Sequence, residues 1–482
     1  MASIGDERLS PAAQLFNAPS FNCYVIAIMG CKTSINPQVI KRGLCQTLLK
    51  HPRFTSKLVN NFVKKGRKTR WTQTTVDLDN HVIVPEIDSK IEFPDRFIED
   101  YISNVTKTPL DLSKPLWELH LLNIKTSDAE AVAIFRIHHS MGDGASLMSL
   151  LLAATRKTSD PNALPTVPTQ KRASSHHRSS SFWWLFLAVW WWLGLIWHTV
   201  VDMVLFVLTI LFIKDTHTPL KGAPGVELNT KRFVYRTVSM DDIKLVKKEM
   251  KTTVNDVLLG VTQAGLTRYL NREYARADEN GGAAEQSPIS VLKNIRLRAA
   301  ILVNIRPVAG IQDLADMMAE KSKAIWGNWM GYIMLPFSIA LNEDPLDDVR
   351  QAKATIDRKK HSLEAICSYA CAKLVLNLFG VKVTAAITRR VLFNTTLAFS
   401  NVLGPVEEVS FYGHPVAYIA PSVYGHPHAL TIHFQSYANK MTISLSVDPS
   451  VIPDPYLLCD DLEESLKLIL DAVQKKHIDH VI

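Results

Sequence analysis

Residues 138 to 144 read His138-His139-Ser140-Met141-Gly142-Asp143-Gly144 and lie between two apolar runs. An imidazole takes a proton near neutral pH, a nearby carboxylate holds a tautomer or a structure, and glycine admits a backbone or a ligand at short range. Those are the parts of a general-base site. The same letters also make a plain turn, because Asp143-Gly144 is common turn chemistry and histidines beside it need have no role.

The elements around the heptapeptide restrict what each residue can do. Ala131 to Ile137 predicts a strand that runs into His138-His139, and a helix is expected from near Asp143 or Gly144. Adjacent residues of an extended chain point to opposite faces, so only one histidine can face a given cleft and the other is structural. That geometry argues against a metal, since adjacent histidines seldom reach one ion and no third ligand follows at a familiar spacing. Asp143 is expected to cap the helix or to pair with an arginine, in support rather than in proton transfer. There is no G-x-S-x-G elbow, no G-x-x-x-x-G-K-[ST] loop and no G-x-G-x-x-G after a strand, so a covalent serine enzyme, an NTPase and a dinucleotide oxidoreductase lose support.

A chain of 482 residues with 47% hydrophobic and 21% charged residues predicts two globular domains and an additional element. The net charge of +8 is spread along the chain without a basic arm, which argues against a nucleic-acid partner and suits an anionic membrane face or an acidic co-substrate. Six cysteines, Cys23, Cys31, Cys45, Cys367, Cys371 and Cys459, show no C-x-x-C pair and read as reduced. Met1 to Leu15 lacks an apolar h-region, so no secretory signal is expected.

From Phe182 to Ile213 the chain is almost wholly apolar, interrupted by His198 and Asp202, and six of its ten tryptophans lie there. That is a membrane signal. As one helix these residues would rise about 48 Å, beyond a hydrocarbon core of about 30 Å. The polar break and the basic flanks (Lys171, Arg172 and Arg178 before, Lys214, Lys221, Lys231 and Arg232 after) favour a re-entrant or in-plane hairpin over a single span.

The chain then divides into a domain at 1–160, a linker and membrane-associated segment at 161–224, and a domain at 225–482. Strands are predicted at Cys23 to Met29, Ala131 to Ile137, Ala300 to Ile305, Thr396 to Asn401, Val416 to Ile419, Leu430 to Ser436 and Thr442 to Val447. Helices are predicted at Pro37 to Lys50, Ala145 to Arg156, Asp241 to Lys251, Asp256 to Ala275 and Asp460 to Val473, with a loop at Gly281-Gly282. Both halves therefore read as layered α/β units.

The heptapeptide resembles the HHxxxDG signature of the chloramphenicol acetyltransferase-like superfamily. Within it the chain is similar to the plant form of the wax ester synthase/diacylglycerol acyltransferase family. Pro115-Leu116-Trp117 matches its PLW motif, Asn255-Asp256-Val257-Leu258-Leu259 its ND block, and Ser400-Asn401-Val402-Leu403-Gly404-Pro405 its SNVxGP block, where Leu403 stands in place of a frequent proline. The resemblance covers essentially the whole chain. It implies two chloramphenicol acetyltransferase-like α/β sandwich domains around an interdomain tunnel, with the membrane-associated segment in their connection.

The resemblance further implies an O-acyltransferase that moves a long-chain acyl group from acyl-CoA, its co-substrate, to a fatty alcohol and also to diacylglycerol, with no bound cofactor or metal. His139 would be the general base, His138 and Asp143 its support, and Gly144 the room beside it. Pro115, Trp117, Asn255, Asp256, Ser400 and Asn401 are candidates for substrate binding or tunnel lining, although Pro115-Leu116-Trp117 also reads as a strand lead-in with a core tryptophan, Asn255-Asp256 as a helix cap, and Ser400-Asn401 as satisfying a turn before Gly404-Pro405. His426, His428 and His433 match no catalytic motif and read as structural. The resemblance also implies the endoplasmic reticulum membrane, with both domains facing the cytosol, or the plasma membrane. Two rivals stay open. His138 and Asp143 also fit the HxxxxD spacing of glycerolipid acyltransferases, and a membrane-bound lipid-binding scaffold could keep the fold without chemistry.

Overall fold

In the computed structural model the described residues are 7–63, 66–88, 90–168, 182–279, 292, 294–307, 311 and 326–479. The predicted loop at Gly281-Gly282 and the basic residues Lys171, Arg172 and Arg178 lie outside them.

Two mixed sheets organise the molecule. The first has seven strands in the order Val82–Ile83, Trp117–Leu122, Ala131–His138, Tyr24–Cys31, His414–Tyr424, Val409–Phe411 and Thr155–Lys157. Ala131–His138 is central in it and buried along nearly its whole length, which explains its unbroken run of apolar residues. The second has six strands in the order Met330–Phe337, Leu297–Asn304, Leu397–Val402, Leu430–Tyr437, Lys440–Val447 and Arg232–Ser239. Its second, third and fourth strands, beginning at Leu297, Leu397 and Leu430, run parallel. Each sheet has its own apolar core, one around Ile26, Trp117 and Ile134 and the other around Val257, Leu430 and Leu462.

The predicted elements recur with shifted ends, as at Val254–Glu279 and Pro455–Asp479. The division at 225–482 needs one correction. His414–Tyr424, placed there by position in the chain, pairs antiparallel with Tyr24–Cys31, with Tyr424 opposite Tyr24 and Ala420 opposite Ile28. Its buried Val416, Ile419 and Ala420 complete the first core, so the two halves share a sheet.

The hairpin expected at 182–213 is replaced by one continuous helix, Phe182–Leu211. Its polar residues do not break it. The Thr199 hydroxyl donates back to the Leu195 carbonyl at 2.7 Å, and buried Asp202 accepts from Arg358 Nη2 at 2.7 Å and Lys359 Nζ at 2.9 Å. Leu195, Asp202 and Thr209 are buried in one stripe, while Trp190, Trp191, Trp192 and Trp197 are exposed. A second apolar helix, Glu364–Phe393, was not anticipated; it packs beside the first and bends at Gly380, where φ is +79°.

Candidate active site

The strand Ala131–His138 delivers His138 to the end of the first sheet, and the chain turns tightly through His139–Met141. Gly142 is extended, and Asp143 then caps the helix Gly144–Ala154 by accepting from Ser146 N–H at 3.0 Å. Both expectations for Asp143 hold together, because its carboxylate also takes a two-pronged contact from Arg306, Nη1 to Oδ2 at 2.7 Å and Nη2 to Oδ1 at 3.0 Å. Arg306 goes on to Ser146 Oγ and the Gly327 carbonyl, at 3.0 and 2.7 Å.

Residues 326 to 329 complete the clamp. Trp326 Nε1 donates to the Met141 carbonyl at 2.8 Å, Asn328 Nδ2 to the His139 carbonyl at 3.0 Å, and Trp329 N–H to Asp143 Oδ2 at 2.9 Å. None of these was singled out from the sequence. Arg306 sits 163 residues from Asp143, and no local pattern marks it as the partner.

The two histidines differ, but not through strand alternation, because the strand ends at His138 and His139 already belongs to the turn. His138 accepts from Ser140 N–H through Nδ1, at 3.2 Å, and therefore donates through Nε2 to Asn22 Oδ1 at 2.7 Å. Both nitrogens are occupied. Burial, with added repulsion from His139 and Arg136, lowers its pKa to about 3. His139 is tied through its backbone, its N–H donating to the Cys23 carbonyl at 2.9 Å. Its ring stacks on Phe16 with centroids 4.2 Å apart, is only 4% exposed, and leaves Nδ1 without a hydrogen-bond partner. Burial pushes its pKa below the free imidazole value while its own nearby backbone carbonyl and the Asp143 charge pull the other way, so the neutral form is favoured.

The second sheet supplies the facing wall. A Cβ on Gly144 would lie 3.8 Å from Val402 Cγ2, so the SNV strand ends against the start of the helix. Ser400 lies opposite His433 in the parallel register. His433 is buried with Nδ1 unpartnered, and burial followed by repulsion from His139 lowers its pKa to about 4. His426 and His428 instead bond Thr431 at 3.0 Å and Thr395 at 2.9 Å. Asn401 Nδ2 donates to Asn255 Oδ1 at 2.6 Å, joining the ND and SNV blocks. Asp256 is part of a reciprocal cap: it accepts from Thr253 N–H at 2.7 Å, and its own N–H reaches Thr253 Oγ1 at 3.3 Å. Thr253, not Asn255, holds the N-cap.

Trp117 does not line this wall, which decides its motif for a strand lead-in with a core tryptophan, and Pro115 precedes it at the entry to that strand. Trp117 is wholly buried, donates from Nε1 to the Phe54 carbonyl at 3.0 Å and stacks on His81 at 4.3 Å. Its strand neighbours Ala131–His138, and the Leu116 carbonyl accepts from His138 N–H at 3.0 Å. The PLW motif thus fixes the strand that carries the histidines. Among the described residues no three His, Cys, Asp or Glu side chains are grouped to hold a metal.

Residues 17–258 match the wax ester synthase/diacylglycerol acyltransferase catalytic domain model, and residues 326–470 match the WS/DGAT C-terminal domain model. The chain is 57% identical to wax ester synthase/diacylglycerol acyltransferase 11 of Arabidopsis thaliana, covering 98% of this chain and 96% of that one. To number 5 of the same organism it is 56% identical, covering 98% and 94%. Among solved structures, the Marinobacter aquaeolei VT8 wax ester synthase/diacylglycerol acyltransferase superimposes with a TM-score of 0.59 at 17% identity, over 96% of this chain and 99% of that one. A starter condensation domain of rhizomide synthetase, in complex with C8-CoA and Leu-SNAC, gives a TM-score of 0.55 at 12% identity, over 97% and 94%. Those two share the fold. This chain therefore belongs to the wax ester synthase/diacylglycerol acyltransferase family.

Proposed function

We propose that the protein transfers a long-chain acyl group from acyl-CoA to the hydroxyl of a fatty alcohol, and also to that of diacylglycerol, with His139 as general base. The observation that carries this is the contrast between the two histidines: His138 has both nitrogens engaged, whereas His139 is neutral, buried and free at Nδ1. In the reaction the alcohol proton moves to the imidazole as the alcohol oxygen attacks the thioester carbonyl. Collapse of the tetrahedral intermediate breaks the C–S bond, and the imidazolium returns the proton to the departing sulfur, giving ester and free CoA. Ser400 is the favoured oxyanion donor from the SNV strand, because the Asn401 amide is committed to Asn255.

No acyl-enzyme is needed. Cys23, beside His139, is a poor nucleophile because burial pushes its thiol far above the ordinary range. The HxxxxD alternative would use His138 as base, and its engaged nitrogens and strongly lowered pKa oppose that role.

The same reading puts the protein on a membrane, at the cytosolic face of the endoplasmic reticulum. Thr155–Lys157 of the first sheet and Arg232–Ser239 of the second flank the first apolar helix, Met330–Phe337 and Leu397–Val402 of the second sheet flank the second, and the two sheets are packed together through Phe233 and Tyr437 in the first core. Both ends of each helix are thus held on one globule, which favours helices lying in one leaflet over helices that cross. Incubating purified protein with palmitoyl-CoA and either hexadecanol or diacylglycerol, and following free thiol, tests the activity. Acceptor-dependent thiol release is expected; its absence with both acceptors supports the scaffold instead.

A further inference from the structure

Resting on that acyltransferase reading, we infer that the seam between helices Pro11–Phe16 and Glu364–Phe393 is the route by which the acceptor's alkyl chain passes from the bilayer to His139. A fatty alcohol or diacylglycerol has no strongly polar head and resides in lipid, and every methylene drawn through water is costly. Acyl-CoA, with its phosphates, arrives from the aqueous side. The acceptor is therefore the substrate that needs an apolar way in.

The seam supplies one through a small apolar cluster. On its outer side, helix Glu364–Phe393 exposes Leu378, Phe379 and Val383. On its inner side Ala385 and Leu392 are buried in a small cluster with Leu15 and Phe16, separate from the two main cores. Phe16 is the inner end of that cluster, because its ring stacks directly on His139 at 4.2 Å. Between exposed Val383 and the base stand the apolar side chains of Val381, Ala385 and Phe16.

The helix is also built to part there. Gly380, at φ +79° and ψ 177°, interrupts the helical backbone one residue before Val381, which packs on the cluster. The break leaves two helical segments joined at a glycine rather than one continuous rod. A small side chain, Ala385, faces the base-side cluster where a larger one would seal it.

The test holds palmitoyl-CoA constant and compares hexadecanol in phospholipid vesicles with hexanol from solution, in wild-type protein, Ala385→Trp and Val381→Trp. Both substitutions should lower the ratio of kcat/KM for hexadecanol to that for hexanol by about tenfold or more. Hexanol turnover in the same preparation reports that the site is intact, and Val381→Trp, at the half-buried rim, decides the matter if Ala385→Trp does not fold. A ratio unchanged from wild type in Val381→Trp, whether both rates fall together or neither falls, overturns the route. Wild-type protein that esterifies neither alcohol overturns the acyltransferase reading, and the route with it.

Discussion

Replacing Arg306 by methionine should unseat the histidine loop by leaving Asp143 buried and uncompensated. The pair is 1% and 6% exposed by side chain, with contacts of 2.7 and 3.0 Å. Removing one partner of such a pair costs about 3–5 kcal/mol. The amides of Ser146 and Trp329 still donate to the carboxylate, and methionine refills most of the volume, which sets the expectation at the lower end, about 3 kcal/mol. Urea unfolding of detergent-solubilised protein, followed by tryptophan fluorescence, measures it. The double variant Arg306→Met/Asp143→Asn should recover part of the loss, because an amide carries no charge to strand. A single-variant cost below about 1 kcal/mol, or a double variant no better than the single, would refute the clamp.

Two further outcomes concern the histidines and the long helix. His51, His138 and His428 have pKa values lowered by burial to about 3, and His433 to about 4. They stay neutral in the fold while the unfolded chain protonates near 6.5, so stability is full above that pH and is lost as pH falls toward 4, by about 2 kcal/mol per histidine at pH 5. A thermal midpoint that is flat between pH 7 and 5 contradicts this. For the same reason the acid limb of kcat/KM should lie below 6.5, following the lowered pKa of His139. Asp202→Ala removes the shared acceptor of Arg358 and Lys359, while Lys359 keeps Glu364 at 2.6 Å. The thermal midpoint should fall by several degrees with vesicle binding retained, since the exposed tryptophans are untouched; an unchanged midpoint speaks against the anchor.

The heptapeptide was legible because its chemistry is local: a buried strand, a tight turn and a capped helix leave their marks within a dozen residues. What completes it was not. Arg306 and residues 326 to 329 reach the loop only through the fold, and an isolated arginine carries no sign of its partner. The pairing of His414–Tyr424 with Tyr24–Cys31 was hidden for the same reason, as alternating apolar residues announce a strand but not its neighbour. Asp202 misled in the opposite direction. It reads as a break in an apolar run, yet Arg358 and Lys359, more than 150 residues away, satisfy it and let the helix continue. The second apolar helix carried a readable signal that Lys373 and Lys382 diluted. The PLW motif left Trp117 open between tunnel lining and core, and only its packed indole, beside the histidine strand, decides for the core.

In the proposed reaction His139 removes the alcohol proton. The most direct measurement of this step is thiol release from palmitoyl-CoA and hexadecanol by His139→Ala, in protein whose tryptophan fluorescence and thermal midpoint show it to be folded. Ester formation should fall by at least about 10²-fold, the contribution of a positioned base. Folded His139→Ala that works within a few-fold of the wild-type rate would contradict the assignment.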